Sequence, residues 1–360
     1  MEQFQKTALE ILEQKDIKIF ADELAGEHKK IVIWGAGNCG HLVNSILSEQ
    51  NVRISFFADN FHAGETDSST GIRIIGIDDV VRDKQNLLVL VSVADRQIYD
   101  AVYMQLREAG LTDGQLYDMK GFIERLPVSF FIQNRDKYHQ VYNLLADNFS
   151  KKVYLERIKR VYLLNDISSI VSPADEEYFD EVNILTDHEV FIDCGGYSGD
   201  TSLRFIEKCG GKYKKIIVFE PETSKTAVIE NNLRGTNHIV YPYGVWSENK
   251  VLYFEARGDV ASRVVDEECG DKVQAVALDD YVYDEKPTFI KMDIEGSEIE
   301  ALIGARKTIQ TYKPKLAVCL YHKPQDLFEI PIYIKSLNEN YRLYVRQYAN
   351  SRYETVCYAL

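Results

Sequence analysis

The stretch FIDCGGYSGDTSLRF, residues 191–205, does most to constrain what this chain can become. A short apolar strand, Phe191 and Ile192, runs into an acid, Asp193. A glycine-rich turn follows through Gly195, Gly196 and Gly199, and a helical pattern opens at Asp200. That order decides which ligand can sit at the turn. Pyrophosphate cofactors use helix N-terminal amides and tolerate no carboxylate beside them. An acid at the strand tip suits a ligand with a cationic amino group, and S-adenosylmethionine carries one together with a sulfonium charge. Glu220, which closes the apolar run IIVF and precedes Pro221, lies 27 residues beyond Asp193. An acid there can accept hydrogen bonds from both hydroxyls of a ribose. The bland alternative is an ordinary strand-to-helix turn, with Asp193 capping the helix that follows.

A length of 360 residues favours two domains, and a formal net charge of −14 argues against nucleic acid or an anionic membrane surface as partner. The six cysteines show no CxxC pairing and read as reduced core thiols. The N-terminus lacks the shape of a signal peptide, and no apolar run is long enough to span a bilayer, so the cytoplasm is the expected location.

Strand and helix signals alternate over 29–122 and again from 189 onward, which predicts an α/β chain of two doubly wound, Rossmann-like domains. Four segments follow: an N-terminal amphipathic helix over 1–28 (Phe4, Leu9, Ile11, Leu12, Phe20), a nucleotide-binding domain over 29–122, a tyrosine-rich helical connector over 123–188 that covers a cofactor cleft, and a catalytic domain over 189–360. YRLYVRQY and ETVCYAL, separated by a polar turn from Ala349 to Arg352, read as an antiparallel hairpin closing the last sheet.

Blocks in order across roughly 125–335 resemble the FkbM family of S-adenosylmethionine-dependent methyltransferases: LLADNFSKKVYLERI, EEYF, FIDCGGYSGDTSLRF, VFEPE, YGVWSE, VQAVALDDYV, FIKMDIEGSEIEALIGA and LAVCLYHKPQDLFEIP. The resemblance implies a class I methyltransferase fold. Gly196 stands where that family commonly has Ala, which should relax the turn. In this reading Tyr243, Gly244 and Trp246 wall the adenine, and Asp279 or Asp280 either touches the cleft or serves a helix N-terminus. Asp293 closes the strand TFIKM and His322 closes the next, so both arrive at one cleft. His322 would then act as general base on an acceptor hydroxyl with Asp293 fixing its tautomer. The other version has Asp293 and a neighbouring acid hold a divalent metal, magnesium by ligand type; with no tight ligand cluster apparent, the metal-free version is preferred. Glu295 and Glu298 read as acids at a helix start.

The first domain resembles the nucleotide-binding modules of bacterial sugar acyltransferases through IVIWGAGNCGHLV, FFADN and VSVADRQ. Gly35, Gly37 and Gly40 follow a strand and open a helix, and Asp59 lies 24 residues after Gly35, so a nucleotide or nucleotide-sugar is the expected ligand there. The resemblances together point to O-methylation of a small-molecule or glycan hydroxyl, and leave a homo-oligomer open. The competing reading is an NAD(P)-dependent oxidoreductase centred on Gly35–Asp59. It lacks a hydride-transfer constellation such as YxxxK with a nearby Ser. In a third reading the first domain only holds a ligand or partner while the second does the chemistry.

Overall fold

The computed structural model describes residues 2–12, 24, 26–27, 29–93, 96–119, 126–163, 165–255, 263–265, 271–351 and 353–360. Phe20, Ala94, Asp95, Cys269 and Arg352 lie outside the described residues, so the N-terminal helix is described only as α1 (Glu2–Leu12). The chain forms two compact units, one of Gln5–Gln133 with Val161–Leu164, the other of Met1–Phe4, Asn134–Arg160 and Asn165–Leu360.

The smaller unit holds β1 (Lys30–Trp34), α2 (Asn38–Glu49), β2 (Phe56–Ala58), β3 (Ile74–Ile75), α3 (Ile77–Asp83), β4 (Leu87–Val91), α4 (Arg96–Glu108) and β5 (Leu116–Asp118). The strands run parallel in the order β3-β2-β1-β4-β5. Alternate residues of each strand face opposite ways, and here both ways are buried. Ile31, Ile33, Leu88 and Leu90 enter one core cluster, and Val32, Trp34, Val89 and Val91 enter another. That two-sided burial is why KKIVIW and LLVLV read as unbroken apolar runs.

The larger unit takes in most of two helices, α5 (Val128–Leu144) and α6 (Asn148–Leu163). After them come β6 (Val190–Cys194), α7 (Asp200–Lys208), β7 (Lys215–Phe219), α8 (Thr223–Asn232), β8 (His238–Tyr241) and β9 (Gly244–Trp246). Next are β10 (Lys250–Glu255), β11 (Arg263–Val265), β12 (Asp271–Ala277), α9 (Asp279–Val282), β13 (Phe289–Met292), α10 (Glu298–Gly304) and α11 (Arg306–Tyr312). The chain closes with β14 (Lys315–Cys319), α12 (Asp326–Leu337), β15 (Leu343–Gln347) and β16 (Thr355–Ala359). Seven strands form one sheet, β15-β16-β14-β13-β6-β7-β8, in which β16 alone runs antiparallel to its neighbours. The hairpin is present as expected, but its reversed strand inserts between β14 and β15 and does not form the edge.

Two features beside this sheet depart from a plain alternation of strands and helices. The apolar run HIVYPYGV makes two strands: Pro242, with no backbone N–H to give a ladder, separates β8 from β9. β9 then joins a second, four-stranded sheet, β11-β10-β12-β9, which also claims VQAVA as β12 and the unforeseen strand β10. The connector also packs within the larger unit. The Tyr154 hydroxyl donates to the Leu327 carbonyl at 3.0 Å, and the Tyr138 ring meets Phe328 edge-on at 5.0 Å, so α5 and α6 pack on α12. Buried Arg346 of β15 reaches Asp147 at 3.0 Å and the Ser150 hydroxyl at 2.8 Å, which fastens the start of α6 to the sheet. No helix among the described residues is long and apolar enough to cross a membrane.

Candidate active site

The C-terminal tips of β6, β7, β13 and β14 open on one side of the larger sheet, the edge at which open α/β folds bind ligands. At β6 the chain turns through Gly195 (φ 86°) and Gly199 (φ 81°), a left-handed backbone that glycine adopts without strain. A side chain at Gly195 is also barred by the neighbouring strand, since an added Cβ would lie 1.9 Å from the Asp293 carbonyl oxygen. Gly196 has ordinary backbone angles, yet a Cβ there would lie 2.2 Å from Val218 Cγ1. The glycine therefore makes room for β7; it does not relax the turn. Gly199 is the N-cap of α7, and Asp200 opens that helix and accepts from the Ser198 hydroxyl at 2.9 Å.

Asp193 does not line the crevice. It has no solvent exposure and pairs with Lys291 at 3.1 Å, and the Ser202 hydroxyl donates to it at 2.8 Å. Lys291 Nζ also donates to the Gly195 carbonyl at 2.8 Å, so the buried pair props up the turn from below. Burial alone would lower the Lys291 ammonium, but Asp193 and then Asp293 hold it above its ordinary value. The expected role of Asp193 at a ligand amine is thus replaced by a supporting one. A lysine inside the apolar strand FIKM was the sequence signal for that partner.

Glu220 caps the tip of β7 and is 6% exposed. Its two oxygens accept the backbone N–H groups of Tyr197 (2.9 Å) and Glu222 (3.0 Å), tying the glycine turn to the Pro221 bend. Burial raises the Glu220 carboxyl, and those two amides and Lys225 oppose the rise. Each oxygen keeps a further acceptor position, so the carboxylate can still receive ligand hydroxyls. Beyond it Phe219, Tyr241, Tyr243 and Tyr281 form an aromatic group, with Tyr241 and Tyr281 ring centres 5.1 Å apart. Tyr241 and Tyr281 were not anticipated; their β8 and α9 positions become neighbours only in the folded sheet. Gly244 and Trp246 sit instead in the four-stranded sheet, with Lys250 Nζ 5.0 Å from the Trp246 ring centre. Asp279 accepts the N–H groups of Lys307 (2.9 Å) and Thr308 (2.7 Å), so it caps α11. Asp280 accepts from Asn249 at 2.8 Å.

Asp293 and His322 do meet. Asp293 accepts from the Tyr178 hydroxyl at 2.9 Å and the Tyr321 hydroxyl at 3.1 Å. Burial would raise its carboxyl, but Lys291, His322 and these hydroxyls together hold it below its ordinary value. His322 Nε2 lies 3.4 Å from Asp293 and 3.6 Å from Glu295, and Nδ1 lies 2.9 Å from Glu298, in ion-pair range but out of line for a hydrogen bond. Against burial, which lowers it, Glu298 foremost and then Asp293 and Glu295 push the imidazole up to about 9. Both ring nitrogens face carboxylates, which favour the protonated ring over a free base, so the expected general-base role does not suit His322. Glu298 accepts the N–H groups of Ile294 (2.9 Å) and Gly296 (3.4 Å), closing the turn before α10. The expectation of no tight ligand cluster also fails, because Asp293, Glu298 and His322 bring one ligand atom each to within 4.8 Å of one another. Tyr178, Tyr197 and Glu295 have left-handed backbones, a strained conformation for residues other than glycine.

In the smaller unit Gly35 (φ 109°), Gly37 and Gly40 do form a strand-to-helix turn, with Gly37 the N-cap of α2. A Cβ on Gly40 would lie 1.9 Å from the Gly35 carbonyl oxygen, which is a packing reason for that glycine. Asp59 accepts the N–H groups of Phe61 (2.8 Å) and His62 (3.3 Å), so it shapes its own loop.

No curated protein matches the chain. Among solved structures, a methyltransferase FkbM from Methylobacillus flagellatus KT shares the fold at a TM-score of 0.73 and 22% identity, over 100% of this chain and 98% of that one. Fibrillarin of Aeropyrum pernix, bound to S-adenosyl-L-methionine, aligns at a TM-score of only 0.34 and 10% identity over 51% of this chain and 72% of its own, too little to carry an argument. The stretch that carries the crevice from Asp193 to His322 is the informative one: residues 193–350 match the family described as the methyltransferase FkbM domain.

Proposed function

We propose that the larger unit is an S-adenosylmethionine-dependent O-methyltransferase acting on a hydroxyl of a sugar or glycan. The observation that carries the reading is the Glu220 clasp, a nearly buried carboxylate at the second strand tip closed over a glycine turn. The residues present fit the cofactor: the turn at Gly195–Gly199 leaves the backbone bare, Glu220 has acceptor positions left for a ribose, and Tyr241, Tyr243 and Tyr281 offer ring faces to an adenine. Bound there, S-adenosylmethionine supplies an electrophilic methyl carbon. The protein's part is to align the acceptor and take its proton. Asp293, ionised and partly exposed between Tyr178 and Tyr321, is the group to receive an acceptor hydroxyl. His322 offsets part of the charge of the three acids around it.

We read the five-stranded and the seven-stranded sheets as doubly wound, and keep for the smaller unit the reading of a nucleotide or nucleotide-sugar module at Gly35–Asp59. The family match lies at 193–350, outside that turn, and so does not favour an oxidoreductase. Incubation with methyl-labelled S-adenosylmethionine and a panel of sugar and glycan acceptors tests the activity. Transfer should occur in the wild type and fall by about 100-fold or more in Asp293→Asn. Label transferred equally by both proteins would remove Asp293 from the chemistry, and no transfer to any hydroxyl acceptor would count against the substrate class.

A further inference from the structure

We propose that Asp293, Glu298 and His322 bind one divalent transition-metal ion at the tips of β13 and β14. Three observations meet there. One ligand atom from each residue lies within 4.8 Å of the others, so small side-chain shifts complete a ligand set. Three carboxylates, those of Asp293, Glu295 and Glu298, surround a single imidazole, while the neighbouring Lys291 is already paired with Asp193 at 3.1 Å. Even a charged ring leaves net negative charge beside the buried Glu298, which a bound cation would offset. Finally, Glu298 is 1% exposed, yet its Oε2 has no hydrogen-bond partner among the described residues, and His322 Nδ1 has none either. Buried polar atoms are rarely left so.

The donor set selects the ion. One imidazole nitrogen with two carboxylates suits a first-row transition ion such as Mn²⁺ or Zn²⁺, whereas Mg²⁺ and Ca²⁺ prefer oxygen throughout. The outer contacts that orient such ligands are in place: Tyr178 and Tyr321 on Asp293, and the Ile294 and Gly296 amides on Glu298. A catalytic use for the ion rests on the methyl-transfer reading, but its binding does not.

The test is a titration of chelator-treated full-length protein with Mn²⁺, followed by the electron-spin-resonance signal of free Mn²⁺. The wild type should take up one ion per chain and gain thermal stability as it does. Glu298→Gln, which keeps an oxygen for the Ile294 amide, and Asp293→Asn should each bind about 100-fold more weakly. Unfolding scans without metal check that both variants fold. No saturable uptake by the wild type, or undiminished uptake by a folded variant, overturns the proposal. Neither cofactor nor acceptor is present, so this result is separate from the fate of the methyltransferase reading.

Discussion

Replacing Lys291 by Met should be among the most damaging single changes in the larger unit, and most of the damage should vanish when Asp193 is changed with it. Lys291 is 2% exposed and Asp193 has no exposure, with 3.1 Å between their charged atoms. Removing one partner of such a pair strands a buried charge, at a cost of about 3–5 kcal/mol. Asp193→Asn in the same chain removes the stranded charge and keeps an oxygen for the Ser202 hydroxyl. The double variant still lacks the Lys291 donor to the Gly195 carbonyl, so about 1–2 kcal/mol should remain lost. Urea unfolding of the wild type, both single variants and the double gives the coupling term directly. Asp193→Asn alone strands the Lys291 charge in the same way, so the coupling, both single losses less the double's, should be at least about 4 kcal/mol in favour of the pair. Additive losses, or a Lys291→Met variant as stable as the wild type, would refute the idea that the pair supports the turn. The double variant should also bind S-adenosylmethionine far better than Lys291→Met does, because Asp193 is not asked to touch it.

Other outcomes follow from the same geometry. Gly196→Ala should cost about 1–3 kcal/mol through the clash with Val218, and Val218→Ala in the same chain should recover part of it, read by urea midpoint. Asp279→Ala should lower the unfolding midpoint by about 1–2 kcal/mol through the lost cap on α11 and leave cofactor affinity unchanged, as calorimetry would report. In the smaller unit the Thr70 hydroxyl, against burial and helped by Ser69 and His41, holds the Asp67 carboxyl well below its ordinary 3.8. A folded-state value below the unfolded one gives stability that is full above about pH 4 and drains away as pH falls further. Thermal scans should show that acid loss, and Asp67→Asn should flatten it.

The parallel strands of both units were legible because strands buried on both faces are apolar without interruption, as in KKIVIW and TFIKM. The second sheet was not, because β10 and β12 reveal themselves only by pairing with each other and with β9. The site was legible in its positions and misread in its partners. Glu220, Asp293 and His322 stand at strand tips, and a tip can be read from an apolar run that ends in a polar residue. What each side chain touches depends on distant segments: Tyr178 comes from 115 residues before Asp293, and Lys291 meets Asp193 across the β6–β13 register. Spacing along the chain carries no trace of such contacts, so an acid at a strand tip could be a ligand group or a buried strut, and Asp193 is the strut.

The most direct measurement is calorimetric titration of S-adenosylmethionine into the wild type, Glu220→Ala and Asp59→Ala. The Glu220 clasp requires one site per chain in the wild type, the same site in Asp59→Ala, and a loss of at least about tenfold in affinity in Glu220→Ala, since two charge-assisted hydrogen bonds to the ligand go with the carboxylate. Unchanged binding in Glu220→Ala, or binding abolished by Asp59→Ala instead, would contradict it.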